Sequence, residues 1–275
     1  MRTNKAMRMS QQPTRPRPDE NALEVRLARD ENDLLGAQRL RYRVFVEELG
    51  GGGEMVDHDA RLERDALDPH FDHLLLVDTS IDPASHEHVI GVYRLLPDDR
   101  AEALGRFYCD SEYDLSALRA CGRRLVELGR SCVDPAHRRG TAMLHLWHGL
   151  ADYVLSRKIE IMFGVASFHG TDIAAHAPAL SYLHHFHLAP PALRVRALPE
   201  HFQPMDLMAP DAIDAKTALA AVPPLIRAYL RLGGFVGEGA FIDHEFNTTD
   251  VCLIMDTSAM TDKYFDYYAR KALKP

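Results

Sequence analysis

Apolar and polar residues change their period several times along the chain, and each change predicts an element. Leu23-Glu24-Val25-Arg26-Leu27-Ala28 alternates, which predicts a half-buried strand. Helical spacing follows through Leu34, Leu35, Gln38, Leu40, Tyr42, Phe45 and Val46, with Asp30 and Asn32 placed to cap the start. Gly50 to Gly53 end that helix and open a segment carrying Glu54, Asp57, Asp59, Glu63, Asp65, Asp68 and Asp72, the densest negative run in the chain. Residues 73–78 and 89–96 read as two apolar strands of a hairpin, joined by a polar turn at Asp82-Pro83 and stopped by Pro97. Residues 98–122 are polar and predict a loop with a short helix. Residues 125–133 are the next strand, followed by a turn and a helix that sets Met143, Trp147, Leu150, Val154 and Leu155 on one face, a stripe expected to be core. A strand at 159–166, a helix at 174–188 and a strand at 195–198 come next. Beyond Met205 lie a helical stretch, an apolar segment over 223–241, a strand at 251–255 and a polar tail. The order implies the α/β class, an α+β mixed sheet left open at its edges.

Organisation and charge narrow the picture. The first 18 residues hold five basic residues, no acid and three prolines, so residues 1–20 are expected to be a disordered arm. Residues 21–204 are expected to form the main domain, with 205–275 as a C-terminal extension packed on it. A net charge of −8 argues against nucleic acid as a partner. The four cysteines form no Cys-x-x-Cys pair, which reads as reduced thiols in a cytoplasmic protein. There is no apolar run long enough to span a bilayer.

The most informative stretch runs from Glu127 through Ala142: a buried strand, a turn holding His137, Arg138, Arg139, Gly140 and Thr141, then a helix. A helix start exposes unpaired N–H groups that hold an anion or a polar carbonyl, and arginines with a glycine beside it suit phosphate or a pantetheine arm. Ser or Cys paired with a base, as a covalent mechanism needs, has no local pattern here. Histidines 184, 185 and 187, with His176 upstream, invite a metal reading. Adjacent histidines on a helix point apart and no His-Glu-x-x-His occurs, so no metal is expected.

The strand-turn-helix at the centre of this order resembles the GCN5-related N-acetyltransferase (GNAT) fold, whose turn pattern is matched at Gly140 and Ala142, with His137 in the leading place. Arg41-Tyr42-Arg43-Val44-Phe45, Glu63 to Asp68, Arg94-Leu95-Leu96-Pro97 and Glu127-Leu128-Gly129-Arg130 resemble the motifs of acyl-homoserine lactone synthases. With Phe168 to Asp172, Leu180 to His185 and Phe246 to Val251 added, the set is most similar to the ornithine-lipid N-acyltransferases, over about residues 23–265. That resemblance implies transfer of a 3-hydroxyacyl chain from acyl carrier protein to the α-amine of ornithine, giving lyso-ornithine lipid. Signal synthesis is the alternative enzyme activity, and a non-catalytic carrier-protein or lipid-binding module the alternative of another class. No separate cofactor is implied, since the carrier protein brings its own phosphopantetheine.

Amide formation from a thioester needs a neutral amine, a donor for the oxyanion and an exit for the thiol. Glu127 is the candidate base, with Arg130 as its neighbour; a structural Glu127–Arg130 ion pair is the alternative. A backbone N–H near Val133 is the candidate oxyanion donor. Glu63, Asp65 and Asp68 are placed to take the δ-ammonium of ornithine, and Arg41 and Arg94 to hold its carboxylate or organise the acids; a solvated acidic loop is equally open. His169 is expected near the substrate. Val133, His137, Arg138, Arg139, Gly140 and Thr141 are expected around the acyl-pantetheine. Arg123, Arg124, Arg138 and Arg139 are the candidates for docking an acidic carrier protein. The 223–241 segment suits a lid over the acyl chain, a peripheral membrane contact or a core helix.

Overall fold

In the computed structural model, which describes residues 22–54, 56–138 and 140–259, most changes of period coincide with changes of element. The expected arm, Arg139 and the last residues of the tail lie outside the described residues. Strand β1 (Leu23–Leu27) leads into helix α1 (Glu31–Arg41), which continues as a π-helical stretch over Tyr42–Glu48. Asp30, rather than Asn32, caps α1, its carboxylate accepting the Asp33 N–H at 3.0 Å. The acidic segment forms a small hairpin, β2 (Val56–Asp57) and β3 (Leu62–Glu63). Strands β4 (Asp72–Asp78) and β5 (Val89–Pro97) make the expected antiparallel hairpin. The polar stretch after Pro97 holds two helices, α2 (Asp98–Leu104) and α3 (Ser116–Ala120), with the short strand β6 (Tyr113–Asp114) between them. The centre is β7 (Leu125–Val133), α4 (Ala142–Arg157), β8 (Ile161–His169) and α5 (Ile173–His187). Then come β9 (Arg196–Ala197), β10 (Phe202–Gln203), α6 (Ala215–Ala221), α7 (Pro224–Arg231), β11 (Phe235–Val236), β12 (Ala240–Asp243) and β13 (Thr248–Asp256).

The main sheet runs β1-β4-β5-β7-β8-β13-β12-β10, with β11 on β13. Residues from 205 onward therefore supply three strands of this sheet, and β13 pairs with β8 over nine residues. The α4 side of the sheet packs Leu74, Leu76, Ile90 and Leu95 against Leu146, Leu150 and Val154. On the opposite side α1 covers Leu75, Val77, Val89 and Val92, while Phe71, Leu96, Phe107 and Phe163 form a neighbouring cluster. The stripe expected on α4 is rotated. Ala142, Leu146, Leu150, Tyr153 and Val154 are buried, whereas Met143 and Leu155 are exposed. Gly149 explains the rotation: a Cβ there would stand 2.3 Å from Val25 Cγ1, so the helix settles on the sheet along its glycine side.

The pairing between β7 and β8 sets up the site. It is the one parallel pairing between described strands of this sheet, and it covers only Leu125↔Ile161, Val126↔Met162 and Glu127↔Phe163. The next pair touches without room for a side chain, because a Cβ on Gly164 would lie 2.1 Å from the Leu128 carbonyl oxygen. Beyond it the strands part. On its other edge β7 bulges against β5: Val92 faces Cys132 and Arg94 faces Gly129, so Arg130 and Ser131 together oppose Tyr93, and Arg130 takes a left-handed φ of 50°.

Candidate active site

Where β7 and β8 separate, the space between them is a cavity of about 270 Å³ rather than packed side chains. Glu127, Gly129 and Arg130 of β7 and Phe163, Ala166 and His169 of β8 are among its walls. Leu225 and Tyr229 of α7 line it too, so the apolar segment over 223–241 places a helix against the cavity. The wall divides chemically: Met162, Ala166, Leu225, Leu253 and Met255 form an apolar part, and Arg94, Glu112, Glu127, Arg130 and Asp250 a charged part.

Glu127 is the last β7 residue paired to β8, which puts its carboxylate at the apex of the cleft, 1% exposed. Its oxygens accept the N–H groups of Tyr108 at 2.7 Å and Cys109 at 2.6 Å. Burial raises its proton affinity above that of an ordinary glutamate, although these hydrogen bonds and Arg94 act the other way. The ion pair of Arg130 runs to Glu63 (2.9 Å), and its guanidinium lies over the rings of Tyr108 and Phe246 at 5.0 and 5.2 Å.

The acidic segment is solvated at Glu54 and Asp59 and turns inward further on. Glu63 and Asp68 are buried, and Arg41, Arg94 and Arg130 neutralise them together with Asp65. Arg41 pairs with Glu63 and donates to Asp68 at 2.8 Å, and Arg94 Nη1 donates to Asp65 at 2.6 Å and Asp68 at 2.9 Å. Burial alone would raise both carboxyls, but the guanidiniums outweigh it and hold Glu63 and Asp68 below the usual range. None of Arg41, Glu63, Asp65 and Asp68 is among the cavity walls; they pair with one another and with Arg94 and Arg130, which are. Arg94 belongs to both places. Its Nε and Nη2 are buried without a hydrogen-bond partner among the described residues, while its side chain lines the cavity.

Val133 ends β7 beyond the cavity walls. Asp134 N–H donates to Ile90 O at 2.9 Å on the β5 side, so strand alternation turns the Val133 N–H toward the open side. Its carbonyl accepts Arg138 Nε at 2.9 Å, and Arg138 also pairs with Glu48. His137 is buried with Nδ1 3.5 Å from Asp134, Gly140 N–H donates to His137 O at 3.3 Å, and Thr141 immediately precedes α4. The four arginines expected at one docking entrance are divided. Arg123 and Arg124 sit at the opposite end of β7 from Arg138, about 30 Å along the strand, and pair with Asp256 and Asp98.

His184, His185 and Asp206 bring possible ligand atoms within 4.8 Å of one another. His185 Nε2, however, lies 2.9 Å from the Met208 carbonyl oxygen and 3.0 Å from Asp206, contacts that require it to carry the proton. Cysteine nucleophiles are disfavoured by burial, which pushes the Cys132 thiol up to about 12 and Cys109 well above its ordinary value. The sequence reading missed Tyr108, Glu112 and Asp250 as site residues. A charge opening the apolar run of β13 was a signal for Asp250; Glu112 had none.

A mixed sheet whose central parallel strands part over a cavity with charged and apolar walls is the architecture of the GNAT fold. The family model described as "Acetyltransferase (GNAT) domain" matches residues 40–148. The chain is 61% identical over 248 residues to an L-ornithine N(alpha)-acyltransferase of Rhodobacter capsulatus, covering 90% of this chain and 95% of that one. It is 44% identical over 253 residues to the enzyme of that name from Brucella abortus, covering 91% and 90%. Among solved structures, an N-acyl amino acid synthase from uncultured soil microbes aligns with a TM-score of 0.47 at 13% identity, covering 88% of this chain and 96% of that one. The chain belongs to the L-ornithine N(alpha)-acyltransferase family.

Proposed function

We propose that this enzyme transfers a 3-hydroxyacyl chain from acyl carrier protein to the α-amine of L-ornithine, giving lyso-ornithine lipid. The observation that carries the reading is the open, lined cleft between β7 and β8, taken with the 61% identity to a named ornithine acyltransferase. The thioester lies in the cleft with its carbonyl toward main-chain N–H groups of β7 near Glu127, where the strand bulges at Arg130 and Ser131, and its acyl tail along Met162, Leu225 and Leu253. The phosphopantetheine runs to the turn of His137, Arg138, Arg139, Gly140 and Thr141, where the start of α4 favours an anion.

Arg94 holds the acceptor's α-carboxylate with Nε and Nη2, the donors left over from its pairing to Asp65 and Asp68. Glu127, with its raised proton affinity, takes a proton from the α-ammonium. The freed nitrogen attacks the thioester carbon, the oxyanion rests on main-chain N–H, the C–S bond breaks, and the thiol leaves with the second amine proton. No covalent enzyme intermediate is needed. His169, on the β8 wall, contacts the acceptor or its acyl group.

The test is to incubate purified protein with 3-hydroxyacyl carrier protein and either ornithine or S-adenosylmethionine, reading thiol release and product mass. N-acylornithine supports the proposal; a lactone product assigns signal synthesis, and no thiol release with either a binding module. Glu127→Gln is expected to lower kcat by about 10². No helix of the described residues is long and apolar enough to cross a membrane.

A further inference from the structure

Three carboxylates of the cavity wall have no part in this chemistry. Glu112 follows the turn that caps Glu127, Asp243 closes β12, and Asp250 lies in β13. Asp250 and Glu112 are 4% and 5% exposed, and Asp250 Oδ1 and Glu112 Oε2 have no hydrogen-bond partner among the described residues. Ser167 and Thr248 stand beside Asp250, and Asp243 accepts the N–H groups of Glu245 and Phe246 at 2.8 and 2.9 Å. The charge of Arg130 reaches both buried acids, but that guanidinium already pairs with Glu63. The contrast with Glu63, Asp65 and Asp68 is direct: each of those acids is ion-paired to an arginine, and among the described residues none of these is. Burial, with repulsion among the three, pushes Glu112 well above the carboxylate range and Asp250 up to about 6. Desolvated carboxylates without partners are costly, and a bound cation offsets the cost.

We propose that Glu112 and Asp250, with Asp243 beside them, form the subsite for the side-chain ammonium of the amino-acid acceptor and thereby select a diamino acid. This rests on the reading of the chain as an amino-acid N-acyltransferase. An ammonium carries three donors on a tetrahedral head, which matches acceptors arriving from separate elements. A hard divalent cation needs six or more oxygens, and here Arg130 and the rings of Tyr108 and Phe246 take up the neighbouring wall. Arg94 and this acidic group give one cavity complementary charges for the two ends of a basic amino acid. A neutral side chain would leave both buried carboxylates unpaired, which is the condition under which a site discriminates strongly.

The experiment compares ornithine with norvaline, which has the same carbon skeleton without the δ-amine, using full-length enzyme and one acyl donor. Wild type is expected to favour ornithine by at least about 10² in kcat/KM. Asp250→Asn and Glu112→Gln are each expected to shrink that ratio at least tenfold, roughly the loss of one charged contact. Ornithine, and not norvaline, is also expected to raise the melting temperature of wild type, a readout that stands if either variant fails to fold. Equal use of both amino acids by wild type overturns the subsite and leaves the acyltransferase reading intact. Thiol release with neither overturns the functional reading itself. A preference for ornithine that disappears on adding EDTA assigns the carboxylates to a metal and overturns the proposal.

Discussion

Replacing Asp250 by Asn should stabilise the empty enzyme while weakening its selection of acceptor. Burial pushes the Asp250 carboxyl from 3.8 to about 6; Asp243 adds to the rise, and Ser167, Thr248 and Arg130 oppose it. A carboxyl with a raised folded-state value contributes stability that is complete below 3.8 and is lost as pH climbs through about 6. At pH 8 the ionised side chain therefore costs about 3 kcal/mol relative to its protonated form, at 1.36 kcal/mol per unit. Asn removes that cost and keeps the shape, with an amide in reach of the hydroxyls of Ser167 and Thr248. For a chain of this size the gain corresponds to a rise in melting temperature of roughly 6–12 °C at pH 8. About half of the gain remains at pH 5, and almost none below pH 3.8. Thermal melts of both proteins across this range, without ligand, measure it. Ornithine should raise the melting temperature of wild type and narrow the gap. The reasoning is refuted if the variant melts at or below wild type at pH 8, or if its advantage is the same at pH 4 and pH 8.

Other perturbations test the rest of the architecture. Arg41→Met leaves Glu63, Asp65 and Asp68 with two arginines instead of three and should cost about 3 kcal/mol in urea unfolding at neutral pH; Arg41 is the largest of the charges that together outweigh burial and hold Glu63 and Asp68 low, so the deficit should shrink as pH falls below their ordinary values of 4.5 and 3.8. Gly164→Ala drives a methyl to 2.1 Å from the Leu128 carbonyl and should cost about 3 kcal/mol, with loss of activity as the cleft is forced to a new shape; melts and turnover measure both. Leu253→Trp fills the apolar wall and should shorten the acyl chain found in the product by mass spectrometry, lowering kcat/KM for long donors about tenfold or more.

The mix of burial and charge around the site shows why some residues were legible and others were not. Glu127, Arg94 and Arg130 stand on strands that the sequence marks clearly, so once the strands are in place these residues fall on the cavity wall; His169, read from the sequence as a loop residue, joins them because β8 runs three residues past the expected end at 166. The acids between Glu54 and Asp72 have the composition of a solvated loop. The burial of Glu63 and Asp68 among them depends on three arginines arriving from α1, β5 and β7, up to 67 residues away from Glu63 in the chain, and no local pattern encodes that. Arg123, Arg124 and Arg138 are close in sequence but separated by a fully extended strand, so proximity along the chain misplaced them as one patch.

By itself the sequence determined the order of elements, the strand-turn-helix at the centre and the family motifs, because period, caps and turn residues act over a few positions. Only the tertiary structure decided which charges face one another. It set three arginines against Glu63, Asp65 and Asp68, and it left Glu112 and Asp250 without an ion pair among the described residues in the cleft where β7 and β8 part. The physical reason is that a charge's partner and its desolvation are properties of the folded neighbourhood, brought together by contacts between segments far apart in the chain.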